Sequence, residues 1–163
     1  VRRALALTAA LTAGCVGAAP ATADRIAEPI RQPAPALPRA CEDAQRTMDV
    51  TLPQARRTLV VFSSDWCDAC ERLLAMLSRE RGELARRQVA VLHVVTDGDG
   101  SCVRAARVGR RAPFAYASAR PDDEARWAIR STPTIWILGP AQRETLAYIE
   151  GEPPAGALWA WLE

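Results

Sequence analysis

Two cysteines three positions apart, Cys67 and Cys70, stand where an apolar run meets an amphipathic one. Leu59-Val60-Val61-Phe62 has the unbroken hydrophobicity of a parallel strand buried on both faces. Ser63-Ser64-Asp65-Trp66 separates it from the cysteines. Beyond them Leu73, Leu74, Leu77 and Leu84 recur at helical spacing, with Glu71, Arg72, Arg79 and Glu80 on other faces. A cysteine at a helix N-terminus meets unpaired backbone N–H groups and the positive end of the macrodipole, which lower a thiol pKa. The cysteine one turn on lies over the same face. The two sulfurs can then meet without large backbone motion. The pattern points to a pair cycling between dithiol and disulfide, Cys67 attacking and Cys70 resolving.

Other uses of such a pair fit less well. Haem attachment of the c type requires His after the second cysteine, and position 71 is Glu. A four-cysteine zinc site needs a second close pair, whereas Cys41 and Cys102 stand alone. Neither a bound metal nor an organic cofactor is expected. Two rivals stay open. One is a docking module in which Cys67–Cys70 is an inert staple; the other is a Cu(I) metallochaperone using both thiolates.

The rest of the chain reads as alternating elements. Val89 to Val95 form a second apolar β-run, followed by a turn at Gly98-Asp99-Gly100. Residues 41–48 read as a short helix, 101–123 as irregular and 124–130 as another short helix. Thr134-Ile135-Trp136-Ile137-Leu138 is a third strand, and residues 145–150 form its hairpin partner across Gly139-Pro140-Ala141-Gln142. Pro153-Pro154 precede a last helix carrying Leu158, Trp159 and Leu162.

Trp66-Cys67-Asp68-Ala69-Cys70, with Ser131-Thr132-Pro133-Thr134 further on, resembles the thioredoxin superfamily over residues 59–163. The resemblance implies an α/β protein, a three-layer α/β/α sandwich with a central mixed β-sheet, for the domain 40–163. It implies that Pro133 is cis and faces the cysteine pair. It also implies that the Thr132 backbone pairs with an extended substrate segment, a strand addition with little side-chain selection. Ile149-Glu150-Gly151-Glu152-Pro153 with Leu158-Trp159 is similar, over a short stretch, to periplasmic thioredoxin-like proteins of bacterial sulfur-oxidation gene clusters. Exported thioredoxin-like reductants and the soluble domains of transmembrane electron carriers are about as close.

Four residues bear on the tuning. Thioredoxin carries a buried Asp six residues before its first cysteine; Val61 stands there in this chain, so a proton acceptor for the resolving thiol is missing or supplied elsewhere. Trp66 is expected beside the pair and partly exposed. Between the cysteines stand Asp68-Ala69 rather than Gly-Pro. A carboxylate beside Cys67 opposes its thiolate, and a less stable thiolate makes the couple more reducing. The expected activity is reductive or isomerase-like, rather than oxidative, thiol–disulfide exchange on exported, disulfide-containing proteins, with a membrane thiol carrier resupplying electrons.

Export is expected from the N-terminus. Arg2 and Arg3 precede an apolar stretch, and Ala21-Thr22-Ala23 gives an A-x-A cleavage pattern, so residues 1–23 read as a signal peptide. Leu11-Thr12-Ala13-Gly14-Cys15 competes as a lipoprotein signal in which Cys15 is lipidated, although Thr12 stands where a larger aliphatic residue is usual. Either route gives a periplasmic or extracytoplasmic domain, soluble or lipid-anchored. Residues 24–39, with Pro29, Pro33, Pro35 and Pro38, read as an extended tether. Without residues 1–23 the chain carries 19 arginines against 19 acids, because only Arg2 and Arg3 are lost. That balance gives no support to nucleic-acid binding. The complete absence of Lys also removes Schiff-base and P-loop chemistry.

Three features remain. Cys41 and Cys102 are candidates for a structural disulfide closing a loop of about 60 residues. A role for Cys102 in electron relay competes with it, and four cysteines allow three pairings. His93, the single histidine, lies in an apolar strand and is expected to be packed or partly solvated rather than catalytic. Arg104, Arg107, Arg110 and Arg111 form a local basic cluster, read as a solvated face.

Overall fold

The computed structural model describes residues 31–41, 47–50, 52–96 and 101–163. Residues 1–23, Cys15 and the turn at Gly98-Asp99-Gly100 lie outside them. In chain order the elements are β1 (Gln32–Pro33), β2 (Ala40–Cys41), β3 (Thr47–Met48), β4 (Arg57–Ser63), α1 (Asp68–Arg79), α2 (Arg81–Arg86), β5 (Val89–Val95), α3 (Cys102–Gly109), β6 (Ala115–Ser118), α4 (Pro121–Arg126), β7 (Thr134–Leu138), β8 (Glu144–Glu150) and α5 (Ala155–Ala160). A single 3-10 turn, Pro140–Gln142, joins β7 to β8.

The described strands form one mixed sheet in the order β1-β8-β7-β4-β5-β6-β2-β3. β4 is central. It runs parallel to β5, with Val61 beside His93 and Ser63 beside Val95, and antiparallel to β7, with Phe62 beside Thr134. Because side chains alternate across a strand, each central strand divides its residues between two cores. Leu59 and Val61 of β4, Val91 of β5 and Ile135 and Ile137 of β7 meet Leu73, Leu74 and Leu77 of α1, Leu84 of α2, and Leu158 of α5. Val60, Phe62, Leu92, Val94, Trp136 and Leu138 point the other way. They are covered by Trp127, the residue that ends α4, and by Leu37, Val50 and Leu52. Both faces of the sheet are therefore buried, which is why β4 and β5 read as unbroken apolar runs.

The second core is aromatic. The Trp127 ring meets Trp136 edge-on at 5.4 Å between centroids, and Trp136 lies 5.0 Å from Tyr148. Trp127 is fully buried, and its Nε1–H donates to the Ala36 carbonyl at 3.1 Å. That bond, with Ala34 N–H donating to the Arg143 carbonyl at 3.1 Å, lays residues 31–39 along the domain. The part of the expected tether that is described is thus extended but docked.

Several expectations are corrected. Residues 41–48 are not a helix at either end: Cys41 pairs with Thr47 and Ala40 with Met48 across two short antiparallel strands. The stretch read as irregular contains α3, β6 and the start of α4. In α3 the buried face is Cys102, Ala105, Ala106, Val108 and Gly109, and the helix spans only 8 residues, so its apolar period repeats too few times to stand out. α4 begins at Pro121 rather than at residue 124. Its start is fixed by the proline at the first helical position and by the Asp123 carboxylate, which accepts from Arg120 N–H at 3.1 Å. The leucines from 73 to 84 belong to two helices, because α1 ends at Arg79 and α2 restarts at Arg81. Among the described residues no helix is long and apolar enough to cross a membrane.

Candidate active site

Ser63 ends β4, and the chain turns through residues 64–66 into α1. Cys67 is the N-cap of α1, in extended conformation, and its Sγ accepts the backbone N–H of Cys70 at 3.1 Å. A sulfur thus takes the place usually held by a Ser or Asp oxygen, satisfying one of the helix's free donors. When reduced, that sulfur would sit at the positive end of the helix, where its thiolate is favoured. The structure joins Cys67 to Cys70 in a disulfide, with Cα atoms 5.2 Å apart.

Exposure separates the two cysteines. Cys67 is 7% exposed and Cys70 only 1%, while the flanking Trp66 is 77% exposed. Both are buried, and Cys67 is the slightly more open of the two. Asp68 is exposed and Ala69 half-buried on the first turn of α1. The Thr132–Pro133 peptide is cis. Thr132 precedes β7, and its Oγ1 lies 3.0 Å from Ser64 Oγ, so the 131–133 loop meets the segment leading into Cys67. Pro133 is buried, and its carbonyl accepts Gly151 N–H at 2.8 Å.

Two ion pairs flank the site. Arg107 on α3 donates to Asp65 at 2.6 Å, and Arg111 just beyond α3 donates to Glu71 on α1 at 2.7 Å. The basic cluster expected to be a solvated face therefore sends two of its arginines to residues on either side of the cysteine pair. Between α1 and the α3 end lies a cavity of about 240 Å³, lined by Ser63, Ser64, Cys70, Leu74 and Val108 among others. Sequence reasoning missed this wall. Its available signal was strand parity: Ser63 lies two residues beyond Val61 and so shares the α1 face of β4.

His93 on β5 also lies on that face. It is fully buried, with Nε2 2.5 Å from Ser63 Oγ and Nδ1 buried without a partner. Burial pulls its pKa from the ordinary 6.5 down to about 4. The unfolded chain therefore takes up a proton below about pH 6.5 that the folded protein refuses until about pH 4. Stability is complete above that window and falls as pH drops through it, by about 3 kcal/mol in all. Urea unfolding midpoints should decline between pH 6.5 and 4.5. His93→Gln should remove that part of the decline.

Cys41 and Cys102 are joined in a second disulfide, Cα to Cα 5.5 Å, and both are buried. The bond ties the first residue of α3 to β2, the strand between β6 and β3. Among the described residues no group of three His, Cys, Asp or Glu side chains is placed to hold a metal ion.

The sequence profile of the thioredoxin-like domain family matches residues 44–163. The chain belongs to that family. No curated protein is significantly similar to it in sequence. Solved structures with the same fold include a thiol-disulfide oxidoreductase from Bacteroides fragilis, with 18% identity, a TM-score of 0.61, and coverage of 80% of this chain and 97% of that one. StoA from Bacillus subtilis is 16% identical with a TM-score of 0.55, over 79% and 100% of the two chains. The thioredoxin domain of a thiol-disulfide oxidoreductase from Bacteroides vulgatus is 16% identical with a TM-score of 0.51, over 66% and 76%.

Proposed function

We propose that this protein is an exported thiol–disulfide oxidoreductase that reduces disulfides in other exported proteins. The observation that carries the reading is the Cys67–Cys70 bond at the start of α1, with Cys67 Sγ capping the helix beside the exposed Trp66. The exposed Trp66 beside Cys67 suits an apolar protein surface at the point of attack. The names of the structures sharing the fold agree in kind.

In the reduced protein, Cys67 thiolate attacks one sulfur of the partner's disulfide. A Cys67–partner bond forms, and the partner's other sulfur leaves with the electron pair. Cys70 then loses its proton and attacks Cys67 Sγ. The intramolecular bond closes and the partner's second sulfur leaves as thiolate. Two electrons have moved to the partner, and a thiol carrier must return two to Cys67–Cys70. Thr132 would steady an extended partner segment through its backbone. Its hydrogen bond to Ser64 links that loop to the cysteine segment.

The reductive direction rests on Asp68. Its carboxylate is adjacent in sequence to Cys67, and no cationic side chain stands between the cysteines. Delivery outside the cytoplasm rests on residues 1–23, with removal after Ala23 or lipidation at Cys15 as the two routes, and residues 24–39 lead into the domain at 40–163.

A redox titration in thiol–disulfide buffers, with alkylation and peptide mass mapping, tests the reading. Cys67–Cys70 should open reversibly near or below about −220 mV while Cys41–Cys102 stays closed. A Cys67–Cys70 bond that resists mild dithiols in the folded protein would leave the staple reading in its place. Stoichiometric copper retained by the reduced protein after desalting would favour the metallochaperone.

A further inference from the structure

The resolving step poses a proton problem. Cys70 attacks only as a thiolate, yet it is 1% exposed. Ionising it alone would leave an unpaired charge in the interior. Val61, beneath the pair on the same face of β4, is apolar and takes no proton. Glu71 borders the same cavity, but it is exposed and held by Arg111 at 2.7 Å.

Behind the cavity wall stands a base. Ser63 and Cys70 line one cavity, and Ser63 Oγ lies 2.5 Å from His93 Nε2. A space of about 240 Å³ is large enough for water to bridge thiol and hydroxyl. Resting on the oxidoreductase reading above, we propose that the Ser63–His93 pair receives the Cys70 proton during resolution. The proton passes through cavity water to Ser63 Oγ while the Ser63 hydroxyl proton moves to His93 Nε2. The route uses the tautomer with hydrogen on Nδ1, which presents a bare Nε2 lone pair. Thiolate and imidazolium appear together, so the buried charge is paired as it forms. Once Cys70 has attacked Cys67 Sγ and the partner sulfur has left with the electron pair, the proton returns along the same path to solvent.

Few other groups face His93. Tyr116 of β6 is its register neighbour on one side and Val61 of β4 on the other. α2 turns Leu84 to the sheet, and α3 turns Ala105, Ala106, Val108 and the disulfide-bonded Cys102. Burial keeps His93 neutral in the disulfide form, with a pKa of about 4, so its lone pair is available at working pH. A thiolate at Cys70 raises its proton affinity. His93 is packed, as expected from its apolar strand, and the proton route adds an accepting role to that packing.

The test uses the full chain, reduced, then mixed with 5,5′-dithiobis(2-nitrobenzoate) and acid-quenched for peptide mass mapping. Formation of the Cys67 adduct reports the first attack; conversion of that adduct to Cys67–Cys70 reports resolution. Ser63→Ala and His93→Gln should leave the first rate unchanged and slow the second by about 10- to 100-fold, on the scale of a lost general base. Their resolution rates should rise about tenfold per pH unit, as expected when bulk ionisation is the only source of thiolate, against a shallower wild-type profile. Should His93→Gln fail to fold, Ser63→Ala decides. Resolution at the wild-type rate and pH dependence, or equal slowing of both steps, would overturn the proton route while leaving the oxidoreductase reading intact. A reduced wild-type protein that releases no thionitrobenzoate and closes no Cys67–Cys70 bond would sink both.

Discussion

Replacing Cys70 by Ser should stop turnover and leave Cys67 covalently joined to its partner. The mixed disulfide forms because Cys67 Sγ remains at the start of α1, where the helix still favours its thiolate. It persists because the only thiol one helical turn away has gone. Disulfide reduction should fall by about a thousandfold or more, as when a covalent intermediate cannot be discharged. Cys67→Ser should lose activity as completely but accumulate nothing, because Cys70 is 1% exposed and out of reach of a partner. The contrast is read on non-reducing gels after incubation with a disulfide-bonded protein. Trapping by Cys67→Ser rather than Cys70→Ser would reverse the assigned roles.

Removing the second disulfide should cost stability, with the redox step spared. Cys41 and Cys102 are 61 residues apart, so their bond restricts the unfolded chain strongly, by about 4 kcal/mol in the chain-entropy model. The Cys67–Cys70 loop spans three residues and restricts it much less. The double substitution Cys41→Ser with Cys102→Ser should therefore lower the melting temperature by about 10–20 °C. The Cys67–Cys70 potential should change little, because Cys102 begins α3 and makes no bond to either redox sulfur. Thermal denaturation and a redox titration of the same variant check the two halves. An unchanged melting temperature would mean that the β2–α3 tie carries no weight. A shifted potential would support the relay role for Cys102.

How legible each element was in the sequence depended on its length and on how its apolar residues repeat. Val89–Val95 and Thr134–Leu138 are strands with the boundaries their apolar runs give, because a strand buried on both faces must be hydrophobic throughout. β2 and β3 span two residues each and β6 four, too short for any period to show. Their pairing is held by neighbours. Cys41 is fixed by its bond to Cys102, and Ala40 by its pairing with Ala117 of β6. α3 was hidden by its length too: in 8 residues its buried face repeats little more than twice.

The pairing of Cys67 with Cys70 was already written in the local sequence. Strand, Cys-x-x-Cys and helix follow within a few residues, so local chain geometry alone brings Cys67 and Cys70 together. The folded molecule decided everything that depends on contacts between distant segments. Four cysteines outside the N-terminal segment permit three pairings, and it was the approach of β2 to α3 that joined Cys41 to Cys102. The Arg107–Asp65 and Arg111–Glu71 pairs needed α3 to pack beside α1. His93 reaches Ser63 across 30 residues because β4 and β5 run parallel in one register. A shift of that register by one residue would turn the imidazole to the opposite face of the sheet. Local spacing specifies a redox pair, and its surroundings are set only when the sheet closes.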